Sequence, residues 1–249
     1  MNKLTLFIIA CVLAGCSREL DLKLLENKDA GEILNMGKKE MNAKNYSDAV
    51  QIFEELERLY PYSKLTADAQ IYEGDCNYNL KKYDEAISAF EIFVKTHPIH
   101  NKVPYALYML GLINFEQMPI IEREQDSTAK ALSYFDELCQ KYPESKYAED
   151  SKEKIKKLHQ QMAGREILVA RYYQSRNNFT ASIGRLNTVI NAYLDTNHAP
   201  EAMLRLVECY VAMGLLNEAK IMDKLLAKNF PKSKWAKYSK TLLSNVTRQ

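Results

Sequence analysis

The chain has 249 residues, with 34 Lys and Arg against 32 Asp and Glu and a formal net charge of +2. So balanced a charge draws it neither to nucleic acid nor to an anionic membrane surface. Its 27% charged and 47% apolar content is that of a folded body able to bury a sizeable core.

The first predicted element is an N-terminal apolar run that opens after Lys3 and ends at Leu13-Ala14-Gly15-Cys16. Leu4 to Gly15 is twelve residues, about 18 Å as a helix at ~1.5 Å per residue, short of the ~30 Å hydrocarbon core. It therefore reads as the apolar region of a signal peptide. The segment resembles a bacterial lipoprotein signal, in which cleavage before a cysteine leaves that residue carrying diacylglycerol and an N-acyl chain. The alternative is a secretory signal in which Cys16 is incidental. The resemblance implies residues 1–15 as signal peptide, Cys16 as the lipidated residue and residues 16–29 as a tether. Several acyl chains make a stable anchor where one does not. Ser17, in place of an aspartate after the cysteine, implies export to the inner leaflet of the outer membrane. Without residues 1–15 the chain holds 33 basic and 32 acidic residues, since only Lys3 is lost. Cys76, Cys139 and Cys209 remain, three thiols that cannot all pair, and are expected in the core.

From Ile33 to Leu243 apolar residues recur at helical spacing, which predicts an all-α fold. Three copies of one pattern follow: Ala49-x3-Phe53 with Pro61, Ala86-x3-Phe90 with Pro98, and Ala131-x3-Phe135 with Pro143, each alanine twelve residues before its proline. Gly37 and Gly74 precede their alanines by twelve, and Tyr46 and Tyr83 by three. A weaker fourth copy has Ser182, Leu186 and Leu194, and a fifth has Ala219, Leu226 and Pro231 with Asp223 in place of phenylalanine. The pattern resembles the tetratricopeptide repeat, a helix-turn-helix unit of about 34 residues. Small residues let the two helices of a unit approach, the phenylalanine fills the space between pairs, and the proline ends the second helix. One unit cannot bury its own apolar face, so about five units are expected to stack into a curved solenoid. An irregular helical bundle is the alternative.

Two departures break the period. Pro143 to Ala170 takes twenty-seven residues where Pro61 to Gly74 and Pro98 to Gly111 take thirteen. The excess is rich in Lys and Glu, with Asp150–Lys154 and Glu153–Lys157 at i,i+4, and predicts a long helix linking repeats three and four. Gly111 to Ala131 takes twenty residues rather than twelve, an extended turn around Met118-Pro119-Ile120-Ile121 and Glu122 to Ser127. Its apolar residues mark either a contact or packing against the convex side of the repeats. The predicted division is residues 30–145 for repeats one to three and 146–249 for repeats four and five with connecting and capping helices.

Beyond the repeats, His97-Pro98, Pro104-Tyr105-Ala106-Leu107-Tyr108 with Gly111-Leu112, Ala163-Gly164-Arg165-Glu166, Arg171-Tyr172-Tyr173 and Asn229-Phe230-Pro231-x-Ser233-x-Trp235 resemble the BamD (ComL-type) outer-membrane lipoproteins of the β-barrel assembly machinery, over essentially the whole mature chain. That resemblance implies a non-enzymatic subunit at the periplasmic face of the outer membrane, touching the membrane through its anchor alone. Its C-terminal half would bind the periplasmic POTRA region of the barrel-inserting BamA. Its N-terminal repeats would receive unfolded outer-membrane proteins, and other lipoproteins of the complex are further implied partners. A pilotin or cell-envelope coordinator built of the same repeats is the alternative class.

Counting repeat positions places Asn35, Lys38 and Asn42 of repeat one, Tyr72, Asp75, Tyr78 and Asn79 of repeat two, and Tyr105, Tyr108 and Phe115 of repeat three on the concave face. Asn35, Lys38, Tyr72, Asp75, Tyr78, Tyr105, Tyr108 and Phe115 are the candidate peptide-binding residues, since tyrosine offers large contact area and a polar tip. Packing between repeats is the other use for such tyrosines. By resemblance, Arg185 stands where the family carries a partner-facing arginine, its planar fork suited to carboxylates; a solvated helix charge is the alternative. Catalytic motifs are missing: there is no G-x-S-x-G, P-loop, H-E-x-x-H or glycine-rich fingerprint. His97 and His100 are close but lack a third ligand, so no metal is expected. Glu54 with Glu55, and Glu149 with Asp150, read as solvated helix faces. No cofactor is implied apart from the lipid on Cys16.

Overall fold

The computed structural model describes residues 22–121, 123 and 125–246. Cys16, the signal segment and the start of the tether lie outside the described residues. After a short 3-10 turn, Leu22–Leu25, come α1 (Ala30–Asn42), α2 (Tyr46–Leu59), α3 (Thr66–Asn79), α4 (Tyr83–Thr96), α5 (Val103–Glu116), α6 (Asp126–Lys141), α7 (Ala148–Ser175), α8 (Phe179–Ala192), α9 (Ala199–Ala212), α10 (Leu216–Asn229) and α11 (Lys234–Val246). Among the described residues there is no strand, and the helices follow one another as antiparallel hairpins, the repeats of a solenoid. The chain divides into two compact units, one ending at Pro98 and one beginning at Ile99.

In the first unit, α1 starts at a capping box: Asp29 Oδ1 accepts from the Glu32 amide at 2.8 Å and Glu32 Oε2 accepts from the Asp29 amide at 3.3 Å. The hairpin α1–α2 is held by a contact between its smallest and one of its largest residues. A Cβ placed on Gly37 would lie 2.4 Å from the ring of Phe53, which is fully buried. In α3–α4 the same geometry recurs between Gly74 and Phe90, at 2.7 Å. The phenylalanine thus seals its own hairpin and also reaches the next one, where Phe53 shares a core with Ala69 and Cys76 of α3. Turns are periodic too. Lys44 and Lys81 take left-handed φ values of 64° and 62°, and the next amide reaches back over the turn, Asn45 to the Glu40 carbonyl and Lys82 to the Asn77 carbonyl, both at 2.9 Å. This is the Schellman arrangement, which ends a helix by satisfying its last carbonyls.

In the second unit the first hairpin, α5–α6, keeps the contact despite its longer turn: a Cβ on Gly111 would stand 2.5 Å from the Phe135 ring. α5 ends at Glu116 and α6 begins at Asp126, so Asp126 and Ser127, expected in the loop, already belong to α6. The insert folds back on α7. Gln161 Nε2 donates to the Pro119 carbonyl at 2.7 Å, and the Ile121 side chain sits 3.1 Å from where a Gly164 Cβ would be, with His198 at 3.2 Å on the same spot. Contacts with α7 therefore account for Pro119 and Ile121, and Gly164 is the space that Ile121 and His198 require; Ile120 stays 64% exposed.

The long helix is α7, 28 residues, or about 42 Å at ~1.5 Å per residue. Its first half completes the core of α5–α6 through Leu158 against Ala131 and Phe135. The second half is the first helix of the next hairpin, where Ala163, Ile167 and Ala170 pack with Leu186 and Val189 of α8. On its surface Lys154 pairs with Asp150 and Lys156 with Glu153, so the acid at 153 is met at i,i+3 rather than by Lys157. The turns after α7 and α9 repeat the left-handed residue, Asn177 at 57° and Gly214 at 74°. In the last hairpin Val207, Ala219 and Leu243 form the core, and Asp223, which replaces phenylalanine, accepts a hydrogen bond from the buried Ser239 hydroxyl of α11. Cys76 and Cys209 are buried and Cys139 is half-buried, all three as free thiols. Burial pushes the Cys76 thiol up to about 12.

Two alanine substitutions separate these effects. Gly111→Ala forces a methyl into the Phe135 ring and should destabilise by about 1–3 kcal/mol. Gly184, mid-helix on α8, has nothing within 4 Å of an added Cβ; Gly184→Ala should stabilise by roughly 0.5–1 kcal/mol through helix propensity. Urea unfolding of the two variants checks both signs.

Candidate functional site

In the first unit, α1 and α3 bring together Lys38 and Tyr72, the Lys38 ammonium 5.6 Å from the centre of the Tyr72 ring. Tyr72, half-buried, in turn lies 5.6 Å, centre to centre, from Phe53, so the residue that seals the hairpin also supports this ring. Asn35 is exposed one turn before Lys38. Asp75 and Tyr78 are half-buried on α3; the Asp75 carbonyl accepts from Asn79 Nδ2 at 2.7 Å, while Tyr78 packs 6.1 Å from Tyr83 with Lys81 at 5.4 Å. The result is a surface of rings and ammonium groups, able to meet an extended chain carrying aromatic side chains and a carboxylate.

The second unit holds the other three candidates. Tyr105 and Tyr108 on α5 face Tyr147, which precedes α7, at 5.5 and 5.0 Å, the latter pair stacked. The Tyr108 hydroxyl donates to Asp150 Oδ2 at 2.7 Å, and Lys154 lies 5.7 Å from the Tyr108 ring and 5.8 Å from that of Phe115. Hydrogen bonds from Lys154 and Tyr108 hold the Asp150 carboxyl below its usual range against the effect of burial. Tyr105, Tyr108 and Phe115 are thus members of one cluster, with Tyr147, Asp150 and Lys154 as partners that the sequence reading did not assign to it. The i,i+4 spacing of Asp150 and Lys154 was visible, but the fold was needed to bring them to Tyr108.

Arg185 projects from α8 with 48% of its side chain exposed and lies 3.4 Å from Glu166 Oε2 on α7. A second arginine lattice was not foreseen. Buried Glu201 on α9 accepts from Arg171 Nε at 3.0 Å and from Arg205 Nε at 2.7 Å; Arg205 also donates to Gln174 Oε1 at 3.0 Å, and Gln174 Nε2 to Glu208 at 2.9 Å. Burial alone would raise the Glu201 carboxyl, but the two guanidiniums outweigh it and hold it below its usual value. The half-exposed Arg171 guanidinium, fixed in this way beside the mostly covered Arg205, presents a charge of set geometry. Among the described residues no three His, Cys, Asp or Glu side chains converge as metal ligands, and no helix is long and apolar enough to cross a membrane.

Hairpins of 14-residue helices, small residues set against phenylalanine and a left-handed residue closing the turn make this a tetratricopeptide-type repeat protein. Within that class, the family model YfiO, described as "Outer membrane lipoprotein", matches residues 26–226. The outer membrane protein assembly factor BamD of Caulobacter vibrioides is 33% identical over 230 residues, covering 92% of this chain and 75% of that one. BamD of Rickettsia prowazekii is 31% identical over 240 residues, with 96% and 95% coverage, and that of Neisseria meningitidis serogroup A 30% identical, with 92% and 90%. The chain belongs to the YfiO family of outer membrane lipoproteins.

Glu201→Gln should lower stability at pH 7 by about 2 kcal/mol, because two guanidiniums lose their shared carboxylate. The carboxyl is depressed in the folded chain, so this contribution is present above the unfolded-state value near 4.5 and fades as pH falls through the lower, folded one. Thermal melts of both forms should therefore differ at pH 7 and converge in acid.

Proposed function

We propose that this chain is a non-enzymatic outer membrane protein assembly factor, a subunit of the β-barrel assembly complex held by lipid on Cys16 at the periplasmic face of the outer membrane. The observation that carries the reading is the family match, which runs through all but the last of the five hairpins and into α10. Nothing in the reaction catalogue is required of it: an assembly factor works by holding chains near one another, which needs fixed surfaces rather than reactive groups. The division of labour follows from the two kinds of surface. Lys38 and Tyr72, with Tyr78 beside them, suit the aromatic ends of unfolded outer-membrane proteins. The arginines of the second unit, Arg185 first, suit carboxylates on the POTRA region of BamA. Tyr105, Tyr108 and Phe115 offer a second aromatic surface for client peptide. Other lipoproteins of the complex join the same assembly.

Purification of the tagged, lipidated chain from solubilised envelopes, read by mass spectrometry, tests the reading. Recovery of a POTRA-containing barrel protein in near-equal amount is the expected result; recovery of secretin or pilus components in its place would overturn it. In that assay Arg185→Glu should cut recovery of the barrel protein at least tenfold. Tyr72→Ala with Tyr78→Ala should leave that recovery intact and weaken binding of a peptide ending in an aromatic residue and carboxylate about tenfold, read by fluorescence anisotropy.

A further inference from the structure

The first unit carries a cleft that the surfaces above do not use. It lies among α2, α3 and α4, has a volume of 370 Å³, and is lined by Glu54, Glu57, Gln70, Glu73, Lys82 and Glu85. Four carboxyl groups thus stand against a single ammonium. The cluster is incomplete in a specific way. Gln70, only 7% exposed, donates through Nε2 to Glu57 Oε2 at 3.3 Å, yet its carbonyl Oε1 is buried without any hydrogen-bond partner, while Glu57 is also hydrogen-bonded to Glu73. Reversing the Gln70 amide would set carbonyl against carboxylate, so the orphaned atom is an acceptor in the only orientation that pairs with Glu57. A buried acceptor left open in the wall of an acidic cleft forfeits a hydrogen bond, a cost that a donor entering the cleft would remove.

We propose that this cleft is a socket for the guanidinium of an arginine side chain presented by a partner polypeptide. An arginine supplies five N–H donors in one plane and cannot lose its charge, so it can donate to the open Gln70 carbonyl while its positive charge meets the carboxyls of Glu54, Glu57, Glu73 and Glu85 that line the cleft. A metal ion is a poorer occupant, because no three carboxylate, histidine or cysteine groups converge as ligands among the described residues. An anion is repelled. The volume falls within the range of clefts that hold small organic groups. This socket stands on the first unit alone, so it holds or fails independently of the assembly role.

Titration supports the geometry. Burial, and then the neighbouring Glu57 charge, lift the Glu73 carboxyl to about 8, and Glu57 is lifted as well, chiefly by burial. The charged groups facing Glu73 are Glu54 and Glu57 from α2, and Lys82 and Glu85 border the cleft from the start of α4. At neutral pH the Glu57–Glu73 pair therefore retains a proton, which an entering cation displaces.

The test is a nitrogen-15 NMR titration of the full mature chain with N-acetyl-arginine methylamide, its uncharged citrulline isostere and the lysine analogue. The arginine probe should give saturable shifts at Glu57, Gln70 and Glu73, including the Gln70 side-chain amide, with an affinity at least tenfold above citrulline and above lysine. Raising the pH from 6.5 to 8.5 should tighten it roughly tenfold as Glu73 ionises. Glu73→Gln should abolish that pH dependence, and exposed Glu54→Gln, which leaves the packing alone, should weaken the arginine probe without changing citrulline. Equal binding of arginine and citrulline, or no shifts with either, would overturn the proposal and leave the cleft to water. Equal binding of lysine and arginine would overturn the guanidinium assignment.

Discussion

The first three hairpins rest on a glycine pressed against a phenylalanine. Gly37 with Phe53, Gly74 with Phe90 and Gly111 with Phe135 each leave no room for a Cβ, and each pins the first helix of a hairpin to the second. That contact fixes the spacing of the helices, and the spacing fixes which side chains are left outside. Tyr72 rests on Phe53 and Tyr108 packs 6.1 Å from Phe135. The aromatic surfaces are therefore outer layers of the same packing. In repeat three the contact survives an eight-residue lengthening of the turn, and the insert is held against α7 through Gln161 and Gly164.

The later hairpins relax the rule without losing the architecture. Ala170 and Leu186 replace glycine and phenylalanine, a wider residue facing a narrower one at nearly conserved total volume. In the last hairpin the phenylalanine position becomes Asp223, which is tolerable because α11 supplies a buried hydroxyl, Ser239, as its donor. Where the aromatic seal is given up, ionic and hydrogen-bonded lattices appear: Arg171, Glu201, Arg205 and Gln174 tie α7 to α9. Aromatic surface and charged surface thus follow from two ways of closing a hairpin.

Much of this was legible in the chain. Twelve residues from small residue to alanine and twelve more to proline expose the hairpins, since each position answers to a separate physical requirement. The long helix showed itself through the lysine and glutamate excess between Pro143 and Ala170. What escaped notice depends on residues far apart in sequence. Glu201 stands thirty residues from Arg171 and Asp223 sixteen from Ser239, and no local pattern announces such pairs. The acidic face was read as solvated, and that holds for exposed Glu54; Glu55, however, is largely covered and clamped to Arg58. The cleft emerges only when α3 brings Gln70 and Glu73 against Glu57. Of the candidate binding residues, the fold groups Lys38 with Tyr72 in one unit and Tyr105, Tyr108 and Phe115 in the other.

The central proposal is that a repeat scaffold holds an assembly partner through the arginine-bearing surface of its second unit. The most direct measurement is photo-crosslinking in intact cells, with a photoreactive amino acid placed at position 185 of the full-length, lipidated chain. A single dominant adduct with the POTRA region of a large barrel protein is the predicted result. Adducts spread over unrelated envelope proteins, or none at 185 while positions on α1 and α3 capture the barrel protein, would contradict the account.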